Sequence, residues 1–249
     1  MEVTGAVSLG FTPGDVVIVT GAGSGIGRAV ARNAAGVGLS VAAWDINSDG
    51  VTETVRDIEQ AGGRAVAVTA DVTDDAQVAA ALDASAALGA ARYLVNNAGP
   101  ASSSQLEFDQ AVTVGLGSMR RVATSWLDRG RQDQAALVNV ASVAGNLIGT
   151  APDWYPATKA GIMGYTRHLA AYRSDVVRSN AVAPGLIDTP RMVGFAESDL
   201  GQRILSRVPL RRMGTADDVS WAILFLLSPL ASYINGILLT VDGGWTISQ

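Results

Sequence analysis

Tyr155 and Lys159 stand four residues apart, and Ser142 lies thirteen residues upstream, so the chain brings together a phenol, an ammonium and a hydroxyl. These are the groups needed to move one proton to or from an oxygen. On a helix, residues i and i+4 share a face with Cβ atoms about 5–6 Å apart, which sets the ammonium beside the phenol. A free tyrosine titrates at about 10 and is a poor base at neutral pH, so a fixed positive charge must favour its phenolate before it can accept a proton from an alcohol. In the opposite direction the phenol simply donates. Read alone, the pair better fits a packing tyrosine and a solvated lysine on an amphipathic helix. Ser142 alone fits a loop hydroxyl bonded to its own backbone.

The surrounding pattern favours chemistry. Short β-branched and apolar runs at 16–20, 40–44, 65–69, 93–96, 136–140, 178–183 and 237–241 alternate with helical stretches near 26–36, 49–61, 74–87, 106–129, 155–173 and 216–227. This rhythm predicts βαβ units feeding a doubly wound parallel sheet of seven strands flanked by helices, in one α/β domain spanning residues 1–249. Several strands are almost continuously apolar, as expected where both faces are covered. Ser142 follows the fifth strand and Tyr155 opens a helix, so both can reach the carboxyl edge of the sheet, where ligands bind in such folds. Residues 186–209 break the rhythm after Pro184 and Gly185 and read as a lid over that edge.

The first strand runs into Gly21, Ala22, Gly23, Ser24, Gly25, Ile26 and Gly27 before an alanine-rich helix. Glycines there permit a tight turn and the close approach of a pyrophosphate to the N–H groups of the helix N-terminus. Asp45 closes the second strand eighteen residues after Gly27, where its carboxylate can accept from both hydroxyls of an adenosine ribose. A 2′-phosphate would meet that charge with no arginine or lysine from Ala22, Ile46 or Asn47 to compensate, so the expected cofactor is NAD. Asp71 ends the third strand and can accept from an adenine amino group beside Val72, although Thr73, Asp74 and Asp75 also supply helix-capping groups there.

Composition narrows the class. A net charge of −5 and only 16% charged residues argue against an electrostatic nucleic-acid or membrane surface. The absence of cysteine removes disulfides, thiolate nucleophiles and thiolate-bound metals. The N-terminus lacks a basic segment followed by an apolar run, and the apolar stretch 221–227 is too short to span a bilayer, so a soluble cytoplasmic enzyme without a metal is expected. His168 lies about 220° around an ideal helix from Tyr155 and reads as a packing or interface residue. Trp154 reads as a cleft wall, and Trp221, Leu224 and Phe225 as a buried helix face.

Over residues 14–245 the chain resembles the short-chain dehydrogenase/reductase family, in particular its 3-oxoacyl-[acyl-carrier-protein] reductase-like group. The turn from Thr20 to Gly27 matches the family's cofactor turn. Asn96, Asn97, Ala98 and Gly99 match the segment after its fourth strand, and Ser142, Tyr155 and Lys159 match its active centre. The resemblance implies a Rossmann fold in which Ser142 orients the substrate oxygen, Tyr155 exchanges the proton, and Lys159 binds the nicotinamide ribose while polarising the tyrosine. It also implies that Pro184 and Gly185 line the nicotinamide, that the Ile187 backbone and the Thr189 hydroxyl hold the carboxamide, and that the protein is a homotetramer to which Asp242, Gly243 and Gly244 contribute.

One position departs from the family pattern. Where its long central helix commonly carries an asparagine that holds a relay water, this chain has Gly115 between Val114 and Leu116, with Gly117 close by. A helix-interior glycine costs about 0.8–1 kcal/mol of propensity but admits a kink, so a relay of backbone carbonyl and ordered water is expected in place of the amide. The leading expectation is oxidation of a secondary alcohol, or reduction of its ketone, with NAD(H), with 3-oxoacyl thioesters, sugars, cyclic alcohols and steroids as possible substrates. A dinucleotide-binding regulatory protein with weak turnover and a dinucleotide-dependent isomerase or dehydratase are the alternatives. The small and apolar residues of the substrate-facing stretches predict selection by shape instead of by a dominant charge.

Overall fold

The computed structural model describes residues 8–129 and 135–248, so the reading of the extreme N-terminus falls outside it. In chain order the elements begin with β1 (Val16–Thr20), α1 (Gly25–Gly36), β2 (Ser40–Asp45), α2 (Ser48–Gln60), β3 (Ala65–Thr69), α3 (Asp75–Ser85) and β4 (Ala91–Asn96). A long helical segment follows as α4 (Phe108–Val112), a π turn over Thr113–Gly117, and α5 (Ser118–Leu127). Then come β5 (Ala136–Val140), α6 (Trp154–Tyr172), β6 (Arg178–Pro184), β7 (Ile187–Asp188), α7 (Asp199–Leu205), β8 (Gly214–Thr215), α8 (Ala216–Leu227) and β9 (Leu238–Val241).

Seven of these strands form one parallel sheet in the order β3-β2-β1-β4-β5-β6-β9. This is a Rossmann-like doubly wound sheet, and strand order reverses between β1 and β4, the point at which ligands bind such sheets. Strand alternation sends Val17 and Val19 into one buried cluster with α1, α2 and α8, and Ile18 into a second with α3, α5 and α6. Both faces are therefore covered, and β1 and β5 are buried along their whole length. Arg178 ties β6 to the end of α8 by donating to the carbonyls of Leu226, Leu227, Ser228 and Ile234.

The predicted strands appear within one or two residues of their expected ends. Three features differ. The stretch expected as one helix over 106–129 is interrupted by the π turn, at the point where Gly115 and Gly117 weaken helix propensity. There the Thr113 and Ser118 hydroxyls donate to the carbonyls of Asp109 and Val114. Residues 186–209, which carried no predicted structure, contain β7, a 3-10 turn at Pro190–Met192 and α7, with β7 pairing to β8. Finally, Leu224 is buried as expected, but Trp221 and Phe225 are 48% and 36% exposed. Helix α8 is apolar almost all round, so its sequence does not reveal which face meets the sheet; Val219, Ile223 and Leu227 do.

Candidate active site

The turn from Gly21 to Gly27 sits at the switch point. Helix α1 starts there without a side-chain cap, because the Ser24 hydroxyl bonds to none of its N–H groups. Those donors are left facing the carboxyl edge of the sheet, with the positive end of the helix dipole behind them. Gly27 is the tightest point: a Cβ there would lie 2.0 Å from the Gly21 carbonyl oxygen and 2.7 Å from Asn97 Nδ2. Asn97 holds the turn in place, its amide donating to the carbonyls of Thr20 and Gly21 at 3.1 and 3.2 Å. The backbone N–H groups of Asn97 and Ala98 both donate to Thr20 Oγ1, so the ends of β1 and β4 are locked together.

Asp45 accepts from Gly23 N at 2.8 Å through Oδ2 and from Asn47 N at 2.9 Å through Oδ1. The carboxylate is thereby oriented under the glycine turn, with further lone pairs left for a diol. Ile46 beside it is 69% exposed, a free apolar surface next to this carboxylate. Asp71 accepts through Oδ1 from both the N–H and the hydroxyl of Thr73, while Asp74 caps α3. One oxygen of Asp71 is thus spent on a turn, and Val72 packs half-buried against the core. The segment after β6 returns over the turn: Gly185 N donates to the Val241 carbonyl, Ile187 is buried, and the Thr189 methyl lies beside Gly25. An uncapped helix end, a glycine cradle that a Cβ would fill and a carboxylate with lone pairs to spare together fit a dinucleotide.

Tyr155 and Lys159 open α6, with Asp153 at its N-cap accepting from Trp154 N. Lys159 Nζ stands 5.7 Å from the centre of the Tyr155 ring and donates to the Val140 carbonyl at 3.0 Å. Ser142 Oγ accepts from Ala144 N at 3.1 Å, which leaves the hydroxyl proton free to donate. Asn146, which no sequence signal marks, clamps the centre: its amide donates to the Ser142 carbonyl at 3.0 Å and to the Lys159 carbonyl at 3.1 Å. Trp154 is buried edge-on to Tyr155, ring centres 5.6 Å apart. His168 is stacked between Tyr165 and Tyr172, away from this group.

Burial holds the Tyr155 phenol above its ordinary value; the Ser142 hydroxyl and then the Arg191 guanidinium pull it down, but less strongly. Desolvation outweighs the nearby charges and favours the protonated phenol, the form that donates in the reduction direction. Burial pushes the Lys159 ammonium down to about 8, and Arg191 acts in the same direction.

Gly115 is buried against α6, and a Cβ on it would lie 2.5 Å from Thr158 Cγ2. The Thr158 methyl thus occupies the place a larger side chain would need. Its hydroxyl is buried with no protein partner, and a space of about 10 Å³, room for one water centre, is lined by Gly115, Thr158, Tyr155 and Lys159. Gly115→Asn is accordingly expected to destabilise the protein by about 1–3 kcal/mol in denaturant titration, with little gain or a loss in single-turnover rate. A large rate increase without a change in binding would show that the natural chain lacks an efficient relay.

A parallel sheet with this switch point, this cradle and this proton-transfer group defines a dinucleotide-dependent oxidoreductase. A family model described as enoyl-(acyl carrier protein) reductase matches residues 21–246. The 4-formylbenzenesulfonate dehydrogenase TsaC1/TsaC2 of Comamonas testosteroni is 38% identical, over 93% of this chain and 98% of the relative. A 7α-hydroxysteroid dehydrogenase structure with NADH and 7-oxo glycochenodeoxycholic acid superimposes with a TM-score of 0.87 at 31% identity, covering 95% of this chain and 96% of the other. A short chain dehydrogenase from Burkholderia cenocepacia J2315, in complex with NADP, gives 0.85 at 31% identity, covering 94% of this chain and 98% of the other. The chain belongs to the short-chain dehydrogenase/reductase family. It is an enzyme of the dehydrogenase type that uses a nicotinamide dinucleotide on small carbonyl or alcohol substrates. Among the described residues, no cluster of histidines and acids could hold a metal, and no helix is long and apolar enough to cross a membrane.

Proposed function

We propose that the protein interconverts a secondary alcohol and its ketone with NAD(H). The observation that supports this reading is the closeness of Ser142, Tyr155 and Lys159, with Asn146 bonded to the carbonyls of both Ser142 and Lys159, in a sheet that also bears the glycine turn. The nicotinamide supplies or takes the hydride. Ser142 donates to the substrate oxygen, Tyr155 gives or takes its proton, and Lys159 binds the ribose hydroxyls and offsets the charge of the phenolate. The uncapped N–H groups of Gly25 to Gly27 receive the pyrophosphate, Asp71 and Val72 the adenine, and Ala98 and Gly99 one wall of the nicotinamide ribose. Pro184 and Gly185 flank the ring, and Ile187 and Thr189 hold its carboxamide.

Preference for NAD rests on Asp45 and on Arg28, a basic residue beside the turn that the sequence pattern does not single out. Its guanidinium is committed to the Gly23 carbonyl and paired with Glu53 at 2.8 Å, so its charge is already balanced. The relay to Lys159 passes through one water held by the Thr158 hydroxyl and a backbone carbonyl near Gly115. Residues 186–209 act as the lid. The exposed Trp221 and Phe225 on α8 suit burial between subunits of a homotetramer.

Turnover of a panel of ketones with NADH and alcohols with NAD, with 3-oxoacyl thioesters included, tests the reading; no turnover of any member would favour a regulatory dinucleotide binder. The pH profile adds a second check. As pH rises through about 8, Lys159 loses the charge that supports the phenolate left by proton donation. The kcat/KM for NADH, which reports groups of the free enzyme, should therefore fall above that value, and a profile without such a break would remove Lys159 from this role.

A further inference from the structure

We propose that Arg191 is an anion subsite of the substrate pocket, so that the molecule reduced or oxidised carries a carboxylate or sulfonate besides its reacting carbon. The inference rests on the ketone and alcohol reading above and gives that site a substrate class. Arg191 lies in the 3-10 turn Pro190–Met192, where the segment after β6 folds back over the sheet edge. Its Nη2 donates to the Gly99 carbonyl at 3.2 Å, and Gly99 shares a cavity wall with Tyr155 and Lys159. The guanidinium is thereby held against the segment after β4, on a residue adjoining the reaction centre.

Charge makes this placement informative. The positive field of Arg191 reaches both Tyr155 and Lys159. Every ion pair among the described residues lies elsewhere, on Arg28, Arg92, Arg121, Arg129 and Arg212. Arg191 thus adds a second cation to a site that already contains a lysine, with no carboxylate to balance either. Its bond to Gly99 uses one of five N–H donors, which leaves an edge of the planar fork for an oxyanion. A carboxylate or sulfonate held there would pair the charge and fix the reacting carbon against Tyr155 through two points of attachment. The shape-only selection expected from the small and apolar lining misses this residue, because only the fold brings position 191 over Gly99.

The test uses full-length protein and cyclic and open-chain ketones, each supplied as a carboxylate, a sulfonate and the neutral methyl ester. The native enzyme should reduce at least one acid with kcat/KM about tenfold or more above that of its ester. Arg191→Gln should lower that acid-over-ester ratio by about 10–100-fold, and Arg191→Lys should retain part of it. Sulfonates favoured over carboxylates, or the reverse, would identify the oxyanion. Equal reduction of acids and esters by the native enzyme would overturn the subsite while leaving the redox function standing. A loss of NADH affinity in Arg191→Gln, measured by fluorescence titration and equal to the loss in kcat/KM, would assign the residue to the cofactor and overturn it as well. Acids that bind the enzyme–NADH complex through Arg191 without being reduced would keep the subsite and overturn the proposed reaction.

Discussion

Tyr155→Phe is expected to lower the single-turnover rate of ketone reduction by about 10²–10⁴ while the protein stays folded and binds NADH. The substitution removes only the hydroxyl. The ring keeps its edge contact with Trp154 and its place in the first turn of α6, so packing changes little. Burial pushes the phenol up from its ordinary value, which favours the protonated form that can donate to a carbonyl oxygen. Lys159→Ala should impair both cofactor binding and rate, because one ammonium is proposed to serve both tasks. Near-native single turnover by the Tyr155→Phe protein would contradict the role, whereas a small steady-state effect alone could reflect product release.

The second large effect is on the cofactor. Asp45→Ala is expected to weaken NAD binding by about 1.5–3 kcal/mol, or roughly 10–150-fold, and to relax the rejection of NADP. Part of that loss comes from the glycine turn itself, since Asp45 Oδ2 also accepts from Gly23 N. Asp45→Asn separates the two contributions: its amide oxygen can still accept from Gly23, but the charge is gone. If charge sets the preference, Asp45→Asn should tolerate NADP nearly as well as Asp45→Ala while holding NAD more tightly. Matched titrations with both cofactors measure this, and a preference of the native protein for NADP would contradict the assignment.

Much of the fold was legible because its information is local. Buried parallel strands are written as short apolar runs, and the glycines between β1 and α1 lie where a strand meets a helix. The i, i+4 spacing of Tyr155 and Lys159 likewise needs only one helix to become a shared face. What was missed depends on segments far apart in sequence. The role proposed for Arg191 depends on Gly99, 92 residues away, and Asn146 is marked only by its simultaneous hold on the Ser142 loop and α6. Gly115 could be recognised as a departure, but its close approach to the Thr158 methyl involves another helix and is not written locally. The π turn had a local hint in its two glycines, yet whether such a segment kinks or stays regular is settled by what packs against it.

The most direct test of the central claim follows the hydride itself. Enzyme loaded with NADH carrying deuterium at one face of C4 is mixed with a ketone identified in the panel, and the alcohol is analysed by mass spectrometry and chiral chromatography. Direct transfer at a site built from Ser142, Tyr155 and Lys159 predicts one deuterium on the carbinol carbon, a single enantiomer for a prochiral ketone, and loss of this product in Tyr155→Phe. NADH consumption without deuterium in the alcohol with either face labelled, or labelled product formed equally well by the Tyr155→Phe protein, would contradict it.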